Sequence, residues 1–279
     1  MKPPGIARLI MKVWTHPANQ GRRGRQLLQA VRFQLRGRLF NKPTMVRLGD
    51  RSSILASLDS SASIVVAYGN PPDHPEWLVW RRFLRRGDLF VDVGANIGTY
   101  SVLAAEHGAQ VIAVEPNAAG RARLSANLQR NGLDAELWDV VLTDEPKDVR
   151  FSSSLDTENH IVADTSLDGD VIRGETFDRL IAGRHVKGMK IDVEGAESQV
   201  LSGAKEALSK GEIDLLQIEW NHCAGQYFQE SRDVAAQMLA RAGYGLYRPD
   251  AEGRLMPSLG EEGRDIFAAR PDVAASLTA

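Results

Sequence analysis

The apolar positions along the chain change period twice, and each change predicts a different kind of element. Between residues 21 and 42, Leu27, Leu28, Val31, Leu35 and Leu39 recur near helical spacing with Arg between them. That pattern predicts an amphipathic helix that buries the apolar stripe and leaves its arginines as a solvated face. Residues 44–69 switch to short β-type runs at 45–48, 54–58 and 64–67, with Gly, Asp and Ser between them, and predict a small accessory sheet. Asn70-Pro71-Pro72 then interrupts the pattern, because proline fixes its own φ and restrains its predecessor. The expected organisation is an N-terminal extension over residues 1–75 and a principal domain over 76–279.

From residue 76 onward, short continuous apolar runs alternate with helical periods, as a parallel sheet buried on both faces by crossover helices requires. Helices are expected at 76–84, 99–106, 118–130, 196–209 and 232–242. Strands are expected at 89–93, 111–114, 136–142, 189–193 and 215–218, with 243–247 and 265–268 closing the sheet as an antiparallel hairpin. The predicted class is α/β: a doubly wound, mostly parallel Rossmann-like sheet with an antiparallel last strand, plus a small helix and β extension at the N-terminus.

Composition narrows the function less than it narrows the class. A length of 279 residues, 43% hydrophobic and 25% charged, is that of an ordinary globular chain, and a net charge of −2 gives no global reason to bind nucleic acid. The single cysteine, Cys223, excludes an intrachain disulfide and a cysteine-built metal site. Residues 1–14 lack a long apolar run with a cleavage site, and no window approaches the roughly eighteen apolar residues of a transmembrane helix. A soluble, cytoplasmic protein with no transmembrane segment and no nucleic-acid partner is the expectation.

The chemistry concentrates where strands end. Leu89 to Val93 is an apolar strand carrying Asp92, and the turn that follows reads Gly94-Ala95-Asn96-Ile97-Gly98. Glycines there let backbone come close to a ligand, Asn96 tolerates left-handed geometry, and the next helix begins with unpaired N–H groups. Glu115 ends the next strand 17 residues beyond Gly98, close to the distance at which nucleotide folds place an acid on ribose hydroxyls. Either acid alone could merely cap a helix; together with the glycines they predict a nucleoside site. The Gly-x-Asn-x-Gly spacing opposes a dinucleotide, which needs Gly-x-Gly-x-x-Gly. An acid before the turn suits an ammonium group and suits a pyrophosphate poorly, so an amino-acid-bearing nucleoside such as S-adenosylmethionine is the expected ligand.

A third strand end, Lys190-Ile191-Asp192-Val193-Glu194-Gly195-Ala196-Glu197, brings three acids and a lysine to the same edge, and a fourth brings Glu219 and His222. So many charges are costly unless paired or used. Asp192, Glu194 and His222 are the candidate bases for a hydroxyl proton, although a Lys190 ion pair and a structural histidine are the plainer readings. Asp192, Glu194 and Glu219 would also suit Mg²⁺, which the chemistry does not require.

These motifs resemble the FkbM-type methyltransferase family: Asp92 to Gly98, Glu115-Pro116, Lys190 to Glu197 and Ile218-Glu219, with further agreement at Asn127, 141–144, 176–180 and Gly203-Ala204. The resemblance covers roughly residues 76–247. It implies a class I methyltransferase fold, S-adenosylmethionine as donor, and O-methylation of a hydroxyl on a sugar, glycolipid or secondary metabolite. It also implies that Asp92, Gly94, Asn96, Gly98 and Glu115 belong to the cofactor site, with Asp139 near the adenine, and that the partner is a small molecule or glycan. Residues 151–174 and those before Glu76 are expected to read the acceptor, with the former as a lid. The rival readings are a nicotinamide-dependent oxidoreductase, which the glycine spacing opposes, and a silent scaffold that keeps the fold without the chemistry.

Overall fold

The structure is a computed structural model and describes residues 6–152, 170–220, 231–260 and 265–278. The extension supplies helices α1 (Ile6–Thr15) and α2 (Arg23–Phe40), a hairpin of β1 (Thr44–Arg47) and β2 (Ser53–Ala56), and α3 (Ser61–Tyr68). Then come α4 (His74–Phe83), β3 (Leu89–Val93), α5 (Thr99–His107), β4 (Gln110–Val114), α6 (Ala118–Arg130), β5 (Glu136–Trp138), β6 (Val141–Leu142), β7 (Asp148–Phe151) and β8 (Asp170–Glu175). The chain continues through α7 (Phe177–Ile181), β9 (Val186–Ile191), α8 (Glu197–Gly203), α9 (Lys205–Lys210), β10 (Ile213–Ile218), α10 (Arg232–Arg241), β11 (Gly245–Pro249), β12 (Leu255–Pro257), β13 (Ile266–Ala269) and α11 (Pro271–Leu277).

Eight strands form one sheet in the order β12-β11-β13-β10-β9-β3-β4-β5. The run from β10 to β5 is parallel, while β13 lies antiparallel between β10 and β11. This is the expected doubly wound sheet with its antiparallel closing strand. Successive residues of a strand serve opposite cores: Val111 and Ala113 of β4 belong to one buried cluster, Ile112 and Val114 to the other. On the first face Trp80 packs near-perpendicular on Phe90, with centroids 5.0 Å apart, and at 5.6 Å from Phe267. The extension adds Leu9, Val13, Phe33, Val46 and Ile54 to that same cluster.

Several expectations are corrected. The run at 64–67 is helical, within α3, whose Ser60 hydroxyl accepts from the Ser63 N–H and nucleates a turn that short apolar runs leave ambiguous. The accessory sheet is therefore a two-stranded hairpin. The expected strand 136–142 stops at Trp138, and Val141–Leu142 turns away to pair with Gly174–Glu175 of β8 in a small second sheet that also holds β7. The helix expected at 196–209 is split after Gly203, where any Cβ would stand 2.2 Å from the Thr143 carbonyl oxygen. In α2 the buried side chains are Gln26, Ala30 and Phe33, whereas Leu28, Val31, Leu35 and Leu39 are exposed. The helix carries two apolar stripes on opposite sides, and the sequence favoured the richer one.

Candidate active site

The site forms where the strand order turns back on itself: β3 sends the chain outward to β4 on one side and receives β9 on the other, and Asp92 stands opposite Lys190 in register. Ligands of open α/β sheets sit at such a switch point, beyond the carboxyl ends of the strands. The turn after β3 is held by protein contacts. The Gly94 and Ala95 N–H groups both donate to the Val114 carbonyl, at 2.9 and 3.1 Å, and Gly94 adopts φ of +80° with its missing Cβ facing the Asp192 carbonyl oxygen at 1.8 Å. Gly98, at φ +88°, clears space for the Leu124 side chain, whose Cδ1 lies 2.3 Å from where a Cβ would be. What these glycines admit is neighbouring protein, where sequence reasoning had expected a ligand. Asn96 does adopt the left-handed conformation, with φ of 50°.

Glu115 ties the turn to the next strand. Its Oε2 accepts from the Asn96 N–H at 2.7 Å and its Oε1 from the Asn117 N–H at 2.8 Å. Each oxygen retains a second lone-pair direction. Burial pushes this carboxyl up to about 6, against those two hydrogen bonds. Asp92 is buried and accepts from the Ser101 hydroxyl at 2.6 Å; burial raises its carboxyl too, partly offset by Lys190.

A cavity of about 520 Å³ opens over these groups, within the range of about 300–1,000 Å³ typical of small-molecule sites. One end is apolar, with Val140, Val141, Leu142 and Phe151. The remainder is acidic: among the described residues, Asp59, Asp73, Asp92, Glu115, Asp192, Glu194 and Glu219 face it against Arg123 and Lys190. Asp192, the first residue beyond β9, accepts a hydrogen bond from Lys190 and keeps its side chain 37% exposed to the cavity. Burial opposes charge on Lys190, but Asp192, Asp265 and Asp92 outweigh it and hold the ammonium well above its ordinary range. Glu219 is pushed up to about 11 by burial and by Asp192 and Glu194, and its Oε2 has no hydrogen-bond partner among the described residues. Oxygens of Asp192, Glu194 and Glu219 lie within 4.8 Å of one another, an arrangement able to take a hard cation.

Sequence reasoning missed the groups that reach this edge from outside the motifs. The Tyr100 hydroxyl donates to Asp73 at 3.2 Å, and Gln217 donates to that hydroxyl at 2.9 Å and also to Asp265. Trp80 donates to Gln217 in turn, and Lys190 lies 4.8 Å over the Tyr100 ring. Asp265 is raised to about 7 by burial. Its position at the start of a predicted strand was the only signal, and Asp73, just after the Asn70-Pro71-Pro72 break, carried none. Of the residues singled out, Asp92, Gly94, Asn96, Glu115, Asp192 and Glu194 line one cavity. Gly98 supports it from behind. Asp139 is directed outward, its side chain 75% exposed and 4.0 Å from Arg121, and does not line the cavity. His222 lies outside the described residues, as does most of the expected lid over residues 151–174. The ends of that segment, β7 and β8, are strands.

A family profile described as the methyltransferase FkbM domain matches residues 92–246, more than half of the chain. A curated relative, the AMB antimetabolite synthetase AmbE of Pseudomonas aeruginosa, is 29% identical over 234 residues; the match takes in 68% of this chain and spans 11% of the relative's length. Among solved structures, the magnesium protoporphyrin IX methyltransferase of Synechocystis PCC 6803 with bound SAM is 16% identical, covering 70% of this chain and 76% of that one at a TM-score of 0.39. A TehB-like SAM-dependent methyltransferase of Corynebacterium glutamicum is 13% identical over 74% and 92% of the two chains, at 0.43. The tRNA (uracil-54, C5)-methyltransferase of Pyrococcus abyssi is 14% identical over 82% and 44%, also at 0.43. Likeness at this level does not indicate what a protein acts on, and the fold rests on the strand order.

Proposed function

The chain belongs to the FkbM methyltransferase family, and from that premise we propose that it moves a methyl group from S-adenosylmethionine to a hydroxyl oxygen of a sugar, glycolipid or secondary metabolite. The observation that carries this reading is the excess of carboxylates over cations among the described residues of the cavity, with one buried Glu219 oxygen unpartnered among them. Such a site favours a ligand with positive charge and repels phosphates, which argues for a small hydroxylated acceptor over a nucleic acid.

When bound, S-adenosylmethionine supplies a sulfonium methyl already activated for transfer. Glu115 is assigned to the ribose hydroxyls through its free lone pairs, and Asp92 to the electrostatics of the ammonium end. The apolar wall of Val140, Val141 and Leu142 is assigned to the adenine, in preference to Asp139. Asp192 is assigned as the base that takes the acceptor proton, positioned by Lys190, with Glu194 orienting the acceptor from the same strand end. Calorimetric titration with S-adenosylmethionine is the direct test. Saturable binding, followed by transfer of labelled methyl to a hydroxylated compound, is expected; absence of binding to the donor and to S-adenosylhomocysteine would leave the scaffold reading in its place.

A pH signature accompanies binding. Glu115 is raised to about 6 without ligand, so it is largely protonated at pH 5. A cationic ligand and its hydroxyl donors favour the ionised form, hence affinity should rise as pH increases from about 5 to about 7, with protons released on binding. Titrations in buffers of different ionisation enthalpy measure that release. Glu115→Gln should flatten the rise and weaken binding by roughly tenfold or more, in keeping with about 1.5–3 kcal/mol for hydrogen bonds to a charged group.

A further inference from the structure

The feature of the extension that the cavity does not use is the outward stripe on its helices. Met11 and Trp14 of α1 are 60% and 49% exposed, and Leu28, Leu35 and Leu39 of α2 are 60%, 53% and 68% exposed. At 100° per residue, Leu28, Val31, Leu35 and Leu39 fall along one side of α2, opposite the buried Gln26, Ala30 and Phe33. Exposed Arg25, Arg32 and Arg36 border that stripe on one side and Arg38 on the other. Arg23, which the same count places on the far side of α2 from that stripe, lies 5.4 Å over the Trp14 ring. α1 and α2 pack on each other, and both pack on α3, whose Ser61, Ala62, Val65 and Val66 wall the cavity.

The charge of this region selects the partner. The first 49 residues contain eleven Lys and Arg and no Asp or Glu, while the whole chain has a net charge of −2, so everything after residue 49 is acidic on balance. A second copy docking stripe to stripe would bring arginines against arginines, with no acid among the first 49 residues of either copy to pair them. A nucleic acid would satisfy the arginines and leave the leucines in water. An apolar stripe edged by arginine matches a surface that is anionic outside and hydrocarbon beneath. No described helix is long and apolar enough to cross a membrane, so the contact is interfacial.

We propose that the Leu28–Leu39 face of α2 docks the protein, the helix lying flat, on the surface of an anionic lipid bilayer. This does not depend on the methyl-transfer reading, because docking is measured without donor or acceptor.

The test is vesicle flotation of the full chain with phosphatidylcholine alone and with about a third phosphatidylglycerol, at about 0.1 M and about 0.5 M salt. Binding to the anionic vesicles, at least about tenfold weaker on neutral ones and reduced by salt, is expected. Arg32→Ala with Arg36→Ala should lower partitioning roughly thirtyfold, and Leu28→Ser with Leu35→Ser at least about tenfold, both with unchanged circular dichroism and thermal unfolding. No flotation with anionic vesicles overturns the proposal. So does undiminished flotation of both double variants, a dimer that Leu35→Ser dissociates without any vesicle binding, or retention of RNA in place of vesicles.

Discussion

Replacing Gly94 by alanine is expected to unfold the site. The new Cβ would stand 1.8 Å from the Asp192 carbonyl oxygen, a backbone atom fixed by the Asp192 N–H donating to Val93 at 3.0 Å. No side chain can swing away to relieve that contact. A φ of +80° adds a conformational cost of roughly 1–2 kcal/mol and the overlap roughly 1–3 kcal/mol, so a loss of about 2–5 kcal/mol is expected in denaturant unfolding. Because β3 and β9 meet at this point, the variant should also lose donor binding even at temperatures where it stays folded. Wild-type unfolding and wild-type donor affinity in Gly94→Ala would show that the glycine does not hold the two strand ends together. Gly87 offers the control: its φ is +88°, yet nothing lies within 4 Å of a Cβ, so alanine there should incur only the backbone cost.

The second large effect is expected on turnover alone. Asp192→Asn keeps an oxygen for Lys190 and nearly the same shape while removing the basicity assigned to this residue. A loss of about 10²–10⁴-fold in kcat is expected, with donor affinity within a few-fold of wild type. The split matters, because a residue needed only to neutralise Lys190 would change stability or affinity before it changed kcat. An unchanged kcat would move the proton-accepting role to Glu194 or His222.

The alternation of apolar runs and helical periods was enough to read the sheet, since β3 and β4 are buried on both faces and leave the plain mark of Phe90-Val91 and Val111 to Val114. The acids at strand ends were legible for the same reason: a charged residue closing an apolar run is conspicuous. Less visible was anything depending on which of two equal patterns wins. In α2 the sequence offers Leu28, Val31, Leu35 and Leu39 on one side and Ala30 and Phe33 on the other, and only packing against the hairpin and α3 decides that the smaller set is buried. Asp73 and Asp265 escaped notice because their importance arises from meeting Tyr100, Gln217 and Lys190, residues distant in the chain. Asp139 misled for the opposite reason: a strand expected to run to Leu142 would have delivered it to the sheet edge, but the strand ends at Trp138.

The antiparallel β13 sets the order in which this protein can be completed. It sits between β10 and β11 although it follows both in sequence, so β11 cannot join the sheet until Ile266–Ala269 has left the ribosome and inserted. Asp265 arrives with it and takes its place against Gln217, which in turn donates to the cavity-lining Tyr100. Everything up to β10 can assemble during synthesis, but a nascent chain halted short of residue 265 would carry an open sheet edge and leave Gln217 and Lys190 without the Asp265 carboxyl. The strand that closes the sheet is thus also the one that completes the polar support beneath Tyr100 and Lys190, which ties the final setting of the cavity floor to the last step of folding.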